Sequence, residues 1–212
     1  MNIWCYSSRW AATLVAAVVL VASATWTSAQ ETSQDIAMIS APQLKPDSWW
    51  MFQTWDRNRD AALDTWTLKR MDGEWLIVHS EGEGREVAYT RDWGLAQEAI
   101  LGTTDVIWLL YSPPLSFLSF PLKVGKSWQQ SITVSTQGDA FVVAKRLISI
   151  RVVRWEEVWV LAGTFQAIRL ETQVDGAKAT CWYAIEAQSF IRCISTDDPR
   201  YDFDLVRFNL TK

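Results

Sequence analysis

From Ser48 onward, the chain consists of short runs that alternate apolar and polar residues and end at turn signals. The runs are rich in Val, Ile, Thr and aromatic residues, which favour strands. The turn signals between them include Asp72-Gly73, Gly125, Asp175-Gly176 and Pro199. Repeated short strands predict a single all-β domain over residues 48–212, with at most one or two short helices. We expect a curved antiparallel sheet or an incomplete β-barrel.

Two segments depart from this pattern. Residues Asp92 to Leu101 are compatible with one or two helical turns. The run from Val106 to Leu122 is strongly apolar, but prolines interrupt it, so it predicts a strand to Tyr111 followed by an apolar loop. An exposed loop would contact lipid or protein, whereas a loop folded inward would close one end of a barrel.

The N-terminus has the pattern of a signal peptide over residues 1–29. Arg9 supplies the positive charge, the apolar run extends from Ala11 to Ala22, and small residues follow it. The run is too short to cross a bilayer of about 30 Å as a helix, so no membrane-spanning segment is expected in the mature chain. Cys5 precedes the run, which argues against a lipid anchor. We therefore expect a periplasmic or secreted protein.

Residues 30–47 are polar, contain proline and predict a flexible tail. The composition of the whole chain argues against two classes, disordered proteins and nucleic-acid-binding proteins. With 49% hydrophobic residues among 212, the chain is not disordered. Its net charge of −4 argues against a nucleic-acid partner, which needs a basic face.

Two Asp-Gly pairs predict the registers of two hairpins. A two-residue loop at Asp175-Gly176 places Leu170 opposite Cys181 and Arg169 opposite Trp182. A similar loop at Asp72-Gly73 places Leu68 opposite Ile77 and Trp66 opposite His79.

The strand after Trp182 returns along the second hairpin. A three-residue loop, Glu186 to Gln188, places Cys181 opposite Cys193 on the apolar side. Because an exported protein meets an oxidising compartment, this register predicts a Cys181–Cys193 disulfide. Two buried free thiols are the alternative.

The same register places Trp182 between Arg169 and Arg192 on the polar side of the sheet. An indole between two guanidinium groups can form cation–π contacts, and it can serve as a platform for a sugar ring or an anionic group. These three residues are therefore the candidate ligand-binding residues. A stack that only stabilises the sheet is the alternative.

No catalytic, cofactor-binding or metal-binding residue is assigned. The segment Asp56 to Asp64 resembles a calcium loop, but Ala61 replaces its Gly and Thr67 its closing Glu, which favours a polar turn. His79 is the only histidine, and no nucleophile motif accompanies it. A carboxylate pair for glycan cleavage is an alternative that sequence spacing does not test, because such a pair is defined by its spacing in space.

Three motifs carry a resemblance to a known group. Pro121 to Trp128 has the form PLxVGxxW, Ala162 to Arg169 the form AGTFxAxR, and Trp182 to Ala184 reads WYA. Together they resemble exported bacterial β-proteins of unknown function. The resemblance implies an architecture similar to periplasmic lipoprotein carriers, and it brings no catalytic residues.

Two hypotheses of function follow. The first is a non-enzymatic binding module that holds a lipid-like ligand in an apolar cavity or presents an aromatic surface to an envelope partner. The second is a protein that binds or cleaves cell-envelope glycans with carboxylates near a platform at Trp182. Ligand identity and oligomeric state stay open.

Overall fold

The structure is a computed structural model that describes residues 38–55, 58–101, 106–137 and 143–212. This part of the chain is all-β, as predicted, and its helical content is one short 3-10 turn, Pro199–Tyr201. The strands are β1 Trp49–Trp55, β2 Ala61–Asp72, β3 Trp75–Ser80, β4 Arg85–Thr90, β5 Gly94–Leu101, β6 Val106–Ser116, β7 Ser127–Gln137, β8 Val143–Val160, β9 Gly163–Val174, β10 Ala177–Ala184, β11 Ser189–Ser195 and β12 Phe203–Asn209. Within the described ranges, no helix is long and apolar enough to cross a membrane.

The strands form one closed antiparallel barrel in which each strand pairs with its neighbours in sequence. The barrel closes because β12 pairs with β1, for example Phe208 with Trp50 and Asp204 with Gln53. The barrel is therefore closed and not incomplete, whereas the predicted antiparallel sheet is confirmed. The β11–β12 contact is short, with ladder pairs Arg192–Asp204 and Cys193–Phe203.

The predicted register of β9 and β10 is confirmed along the whole hairpin. Leu170 lies opposite Cys181 and Arg169 lies opposite Trp182. The turn residues Asp175 and Gly176 both have positive φ, at 49° and 97°. Two positive φ values in a two-residue loop match the twist of the flanking strands, which fixes this register.

The β10–β11 register is confirmed at the cysteines, but the predicted loop length was wrong. The loop has four residues, Ile185 to Gln188, and Ile191 bulges out of the ladder. The extra loop residue and the bulge offset each other, so Cys181 still lies opposite Cys193. A disulfide joins them across a Cα–Cα distance of 4.1 Å.

The register predicted for β2 and β3 was wrong. The loop residues are Gly73 and Glu74, and Asp72 lies in the ladder opposite Trp75. Gly73 takes a positive φ of 56° at the first loop position, and this shifts the register along the hairpin. A bulge near Lys69 then places Leu68 opposite Val78, not Ile77, and His79 opposite Thr67, not Trp66.

Two further segments differ from their predictions. Gly94–Leu101 is strand β5 and not helix, because it pairs with β4 on one side and β6 on the other. Strand β6 continues past Tyr111 to Ser116. The loop that follows folds inward, and Leu118 and Leu122 are fully buried in it.

Residues 38–47, in the range predicted as a flexible tail, run across one end of the barrel. Ile39 exchanges backbone hydrogen bonds of 3.1 and 3.0 Å with Leu122. Leu44 is buried, and the amide of Asp47 donates to the carbonyl of Leu68 at 2.8 Å. Residues 30–37 and the predicted signal peptide, residues 1–29, lie outside the described residues.

Two indoles fix the β10–β11 turn beneath this segment. Trp50 donates its Nε1 proton to the carbonyl of Ala187 at 2.8 Å, and Trp93 donates to that of Gln188 at 2.9 Å. The two rings pack edge to face with centroids 5.4 Å apart. The turn is thereby held against the core, where Ala187 is fully buried.

Apolar side chains pack inside the barrel in two clusters. One is built around Trp50, Phe52, Leu68 and Leu205, and the other around Ile132, Ile150, Leu170 and Tyr183. Side chains that share a side of the sheet with these residues are called inner below, and those on the opposite side are called outer.

At the turn end of the β8–β9 hairpin, the buried side chains lie on the outer side of the sheet. Here Val158 and Phe165 are buried on the side that carries Arg169 elsewhere on β9, whereas Trp159 is 65% exposed. The amide of Ala162 donates to the carbonyl of Leu205 on β12 at 3.1 Å. The hairpin end therefore packs over the place where β11 and β12 diverge.

Candidate functional site

The three predicted ligand-binding residues lie in one row across neighbouring strands. Trp182 on β10 is paired with Arg169 on β9 and with Arg192 on β11. The row is outer, because Cys181 and Tyr183 on either side of Trp182 are buried on the inner side. The predicted pairing of Trp182 with both arginines is therefore confirmed.

Each guanidinium group of the row also binds a carboxylate. Arg192 makes two hydrogen bonds to Asp204, of 2.5 and 2.6 Å, and Arg169 donates to Glu171 at 3.1 Å. The hydrogen bonds from Arg192 to Asp204 raise the pKa of the Arg192 guanidinium, although burial acts against them. These carboxylates, which sequence reasoning missed, orient the arginines.

Glu156 is the partner of the indole. Trp182 donates its Nε1 proton to Glu156, and Arg154 donates to the same carboxylate at 2.5 Å. Burial acts to raise the pKa of Glu156, but the hydrogen bonds from Trp182 and Arg154 outweigh it and hold that pKa below its ordinary value. The indole is therefore held by a charged acceptor, and its ring remains partly exposed beside Arg169.

Arg169 has one buried polar atom without a partner. Its Nε atom makes no hydrogen bond, while the rest of its guanidinium group reaches Glu171. Glu171 also accepts from Arg151 at 3.2 Å, so one carboxylate links two arginines on adjacent strands.

A groove of about 810 Å³ lies next to this row, on β7–β10 and the segment after β11. We call it the polar groove. Hydroxyl, amide and charged side chains line most of it: Ser127, Gln129, Ser149, Arg151, Glu171, Gln173, Lys178, Thr180 and Thr196. Two cations and one carboxylate leave a net positive charge in a chain of net charge −4.

A second groove, of about 460 Å³, lies on the outer side of β2–β6. We call it the aromatic groove. Trp75, Ile77, Trp108 and Leu110 supply its apolar surface, and Arg70, Asp72, Glu86 and Gln97 its polar groups. Sequence reasoning missed it, because it depends on registers between β3 and β6 that no turn motif predicted.

Polar side chains also cluster on the inner side of β2–β6. Asp64 accepts hydrogen bonds from the indole of Trp66 at 2.6 Å, from Ser80 Oγ at 2.6 Å and from the amide of Gly82 at 2.7 Å. Asp64 is buried, and its oxygens are used within the barrel. Asp56, the first residue of the calcium-like segment, lies outside the described residues.

A second inner network joins Arg85, Glu98 and Tyr111. Arg85 binds Glu98, and the Tyr111 hydroxyl donates to the same carboxylate. Burial, together with the hydrogen bond to Glu98, raises the pKa of the Tyr111 hydroxyl. In the described ranges, no group of three or more His, Cys, Asp and Glu side chains is arranged to hold a metal ion.

Comparison with known proteins finds a likeness of structure. The sequence matches no family model and no curated protein. The hypothetical lipoprotein YmcC from Escherichia coli K12 aligns with a TM-score of 0.48 and 12% identity, over 81% of this chain and 92% of that chain.

Two further structures are similar. A candidate lipoprotein from Parabacteroides distasonis aligns with a TM-score of 0.41 and 8% identity, over 82% of this chain and 100% of that chain. A candidate exported protein with a YmcC-like fold from Bacteroides fragilis aligns with a TM-score of 0.44 and 9% identity, again over 82% and 100%.

Proposed function

We propose that this protein is an exported, non-enzymatic binding module that holds an envelope glycan in the polar groove. The observation that carries the proposal is the groove of about 810 Å³ in which polar side chains from several strands converge. Side chains on paired strands are held more firmly than side chains on loops, so their positions suit a rigid binding surface.

The chemistry of the groove suits a sugar chain that bears negative charge. Hydroxyl and amide side chains such as Gln129, Ser149 and Gln173 offer both donors and acceptors, which sugar hydroxyls require. Arg151 and Lys178 outnumber Glu171 and favour a carboxylate-bearing glycan over a cationic ligand.

The row of Arg169, Trp182 and Arg192 extends this surface. The indole packs on the apolar cluster built around Trp50 and is only partly exposed, so its exposed part is the surface that would contact a sugar ring. The arginines beside it are oriented by Glu171 and Asp204. In this proposal the three residues are the aromatic end of the glycan site.

The interior gives a lipid-like ligand less support. The two apolar clusters place buried side chains such as Leu170, Tyr183 and Leu205 on the inner side of the sheet. Both grooves described above are outer. A ligand at either site would be held by an open surface and not inside a cavity.

The carboxylates near Trp182 give an enzymatic role little support. A general acid for glycoside cleavage needs a raised pKa, whereas the pKa of Glu156 is lowered. Glu171 and Asp204 accept hydrogen bonds from arginines, so their oxygens are already engaged within the protein. The proposal therefore assigns binding and no catalysis.

Export rests on the leader pattern of residues 1–29. The Cys181–Cys193 disulfide agrees with a periplasmic or secreted location, since disulfides persist in oxidising compartments. Sequencing the N-terminus of protein recovered from the envelope fraction tests this part, and an intact Met1 in cytoplasmic protein would contradict it.

Binding to soluble peptidoglycan strands, whose sugars carry carboxylates, tests the glycan site. The informative variant is Gln173→Ala in the groove, and the matched control is Gln166→Ala, an exposed glutamine elsewhere on β9. We expect Gln173→Ala to weaken binding at least fivefold and Gln166→Ala to leave it unchanged.

The same measurement on Trp182→Ala tests the aromatic end, where we expect a similar or larger loss. Absence of binding to these strands and to acidic glycans on an array contradicts the proposal. A lipid retained by the protein in native mass spectrometry, with no glycan binding, would support the carrier hypothesis in its place.

A further inference from the structure

We propose that the aromatic groove is a second binding site, for a neutral sugar ring. It lies on β2–β6, whereas the polar groove lies on β7–β10 and the segment after β11. The inference does not rest on the function proposed above, because it uses different residues and a different ligand chemistry.

The base of the aromatic groove is formed by residues that pair with one another across strands β3 to β6. Ile77 on β3 pairs with Ala88 on β4, Ala88 with Gln97 on β5, and Gln97 with Leu110 on β6. These side chains form one outer row, because Val78 and Val87 beside them are buried on the inner side. An antiparallel sheet with one solvated side normally carries polar residues there, whereas three of the four residues in this row, Ile77, Ala88 and Leu110, are apolar.

Two indoles lie on opposite sides of this row, one on β3 and the other on β6. Trp75 lies two residues before Ile77, and Trp108 lies two residues before Leu110 on the antiparallel strand β6. Trp75 is 40% exposed although it is a large apolar side chain. An exposed indole beside an apolar floor offers the flat surface on which the C–H face of a pyranose ring packs.

Polar groups at the rim match the hydroxyls of such a ring. Arg70 and Glu86 form an ion pair of 3.5 Å, with side chains 56% and 42% exposed. Asp72 and Gln97 add further donors and acceptors. An apolar surface with a few convergent polar groups, in a volume of about 300–1,000 Å³, is the usual form of a small-ligand site.

The charge and the polar groups select the class of ligand. Arg70, Asp72 and Glu86 sum to one negative charge, which disfavours acidic glycans and anionic lipid headgroups. The same polar groups interrupt the apolar surface that an acyl chain would need. A neutral sugar, with one apolar face and a rim of hydroxyls, satisfies both conditions.

The test uses two neutral probes, chitotetraose and maltotetraose, with the disulfide-bonded protein. We expect saturation-transfer NMR to show contact with at least one probe. Trp75→Ala should weaken that binding at least tenfold, and Trp75→Phe should retain most of it. Trp159→Ala removes an indole that is 65% exposed outside the groove, and it should leave binding unchanged.

Two further measurements keep the inference separate from the polar groove and from misfolding. Gln173→Ala should leave the affinity for the neutral probe unchanged, and soluble peptidoglycan strands should not compete with it. In the unmutated protein labelled with fluorotryptophan, the probe should shift the Trp75 resonance. Absence of contact with both probes, equal losses in Trp75→Ala and Trp159→Ala, or an unshifted Trp75 resonance overturns the inference.

Discussion

The polar groove and the aromatic groove lie on two parts of the same barrel wall, and their outer sides differ in chemistry. Behind the polar groove, Ile150 and Leu170 are buried; behind the aromatic groove, Val78 and Val87 are buried. The outer rows diverge, with Gln173 in one and Ile77 in the other. Inner side chains serve the packing of the core. The outer side chains are therefore the ones that indicate which ligands the two surfaces bind.

The largest expected effect tests the inner side of this comparison. Leu170 is fully buried behind the polar groove, so Leu170→Ala should lower the free energy of unfolding by about 2–5 kcal/mol. Gln173→Ala, three residues along the same strand and exposed, should change it by less than about 0.5 kcal/mol. Urea unfolding of both variants measures the difference. Equal destabilisation would contradict the division into a structural inner side and a ligand-binding outer side.

The disulfide strengthens the wall behind the polar groove. Replacing Cys181 and Cys193 by Ser removes a crosslink with a sequence separation of 12 residues, which should cost about 3 kcal/mol. Thermal unfolding of the double variant, beside the oxidised and the reduced unmutated protein, measures this cost. Two titratable thiols per mature chain under non-reducing denaturing conditions would show that the bond is absent.

Two arginine–carboxylate ion pairs extend the comparison, one in the row at Trp182 and one at the aromatic groove. The Arg192–Asp204 side chains are 25% and 20% exposed, whereas those of Arg70 and Glu86 are 56% and 42% exposed. Asp204→Asn should cost about 1–2 kcal/mol, because it weakens a partly buried two-bond contact where β11 meets β12. Glu86→Gln should cost less than about 0.5 kcal/mol, as is usual for exposed pairs. Denaturant unfolding compares the two, and equal costs would contradict the difference in burial.

The smallest expected effect is a pH dependence at Trp182. The pKa of Glu156 is lowered in the folded chain, so its stabilising contact is fully present above the ordinary value of 4.5 and is lost as pH falls through the folded value. We expect the indole Nε1 proton resonance of Trp182 to move below pH 4.5. The Glu156→Gln variant should abolish that movement, and an unchanged titration there would assign it to another group.

The pairing of Arg169 with Trp182 in the outer row was predictable from a single turn motif. Asp175 and Gly176 both tolerate positive φ, and this fixed β9 against β10 over the whole hairpin. The β10–β11 loop is one residue longer than predicted, but the bulge at Ile191 restored the pairing of Trp182 with Arg192. The carboxylate partners were not predictable, since Glu156 and Asp204 come from strands whose registers no motif indicated.

The aromatic groove was not predictable for a similar reason. The Asp72-Gly73 motif suggested a loop that is displaced by one residue, because Gly73 takes the first loop position. The bulge near Lys69 displaced the pairing again, and β5 was taken for possible helix. A row across β3, β4, β5 and β6 needs every one of those registers, so local patterns alone did not assemble it.

The closed ladder limits how any partner can recognise this protein. Strands at a sheet boundary can accept a strand from another chain through main-chain hydrogen bonds, which read little of the partner's side-chain identity. Here β12 pairs with β1, and the carbonyl of Leu205, where β12 leaves β11, already accepts from Ala162. The described barrel therefore offers few unpaired strand edges to which another strand could be added. Selectivity must come from side-chain chemistry on its surface, which single substitutions can alter without disturbing the wall.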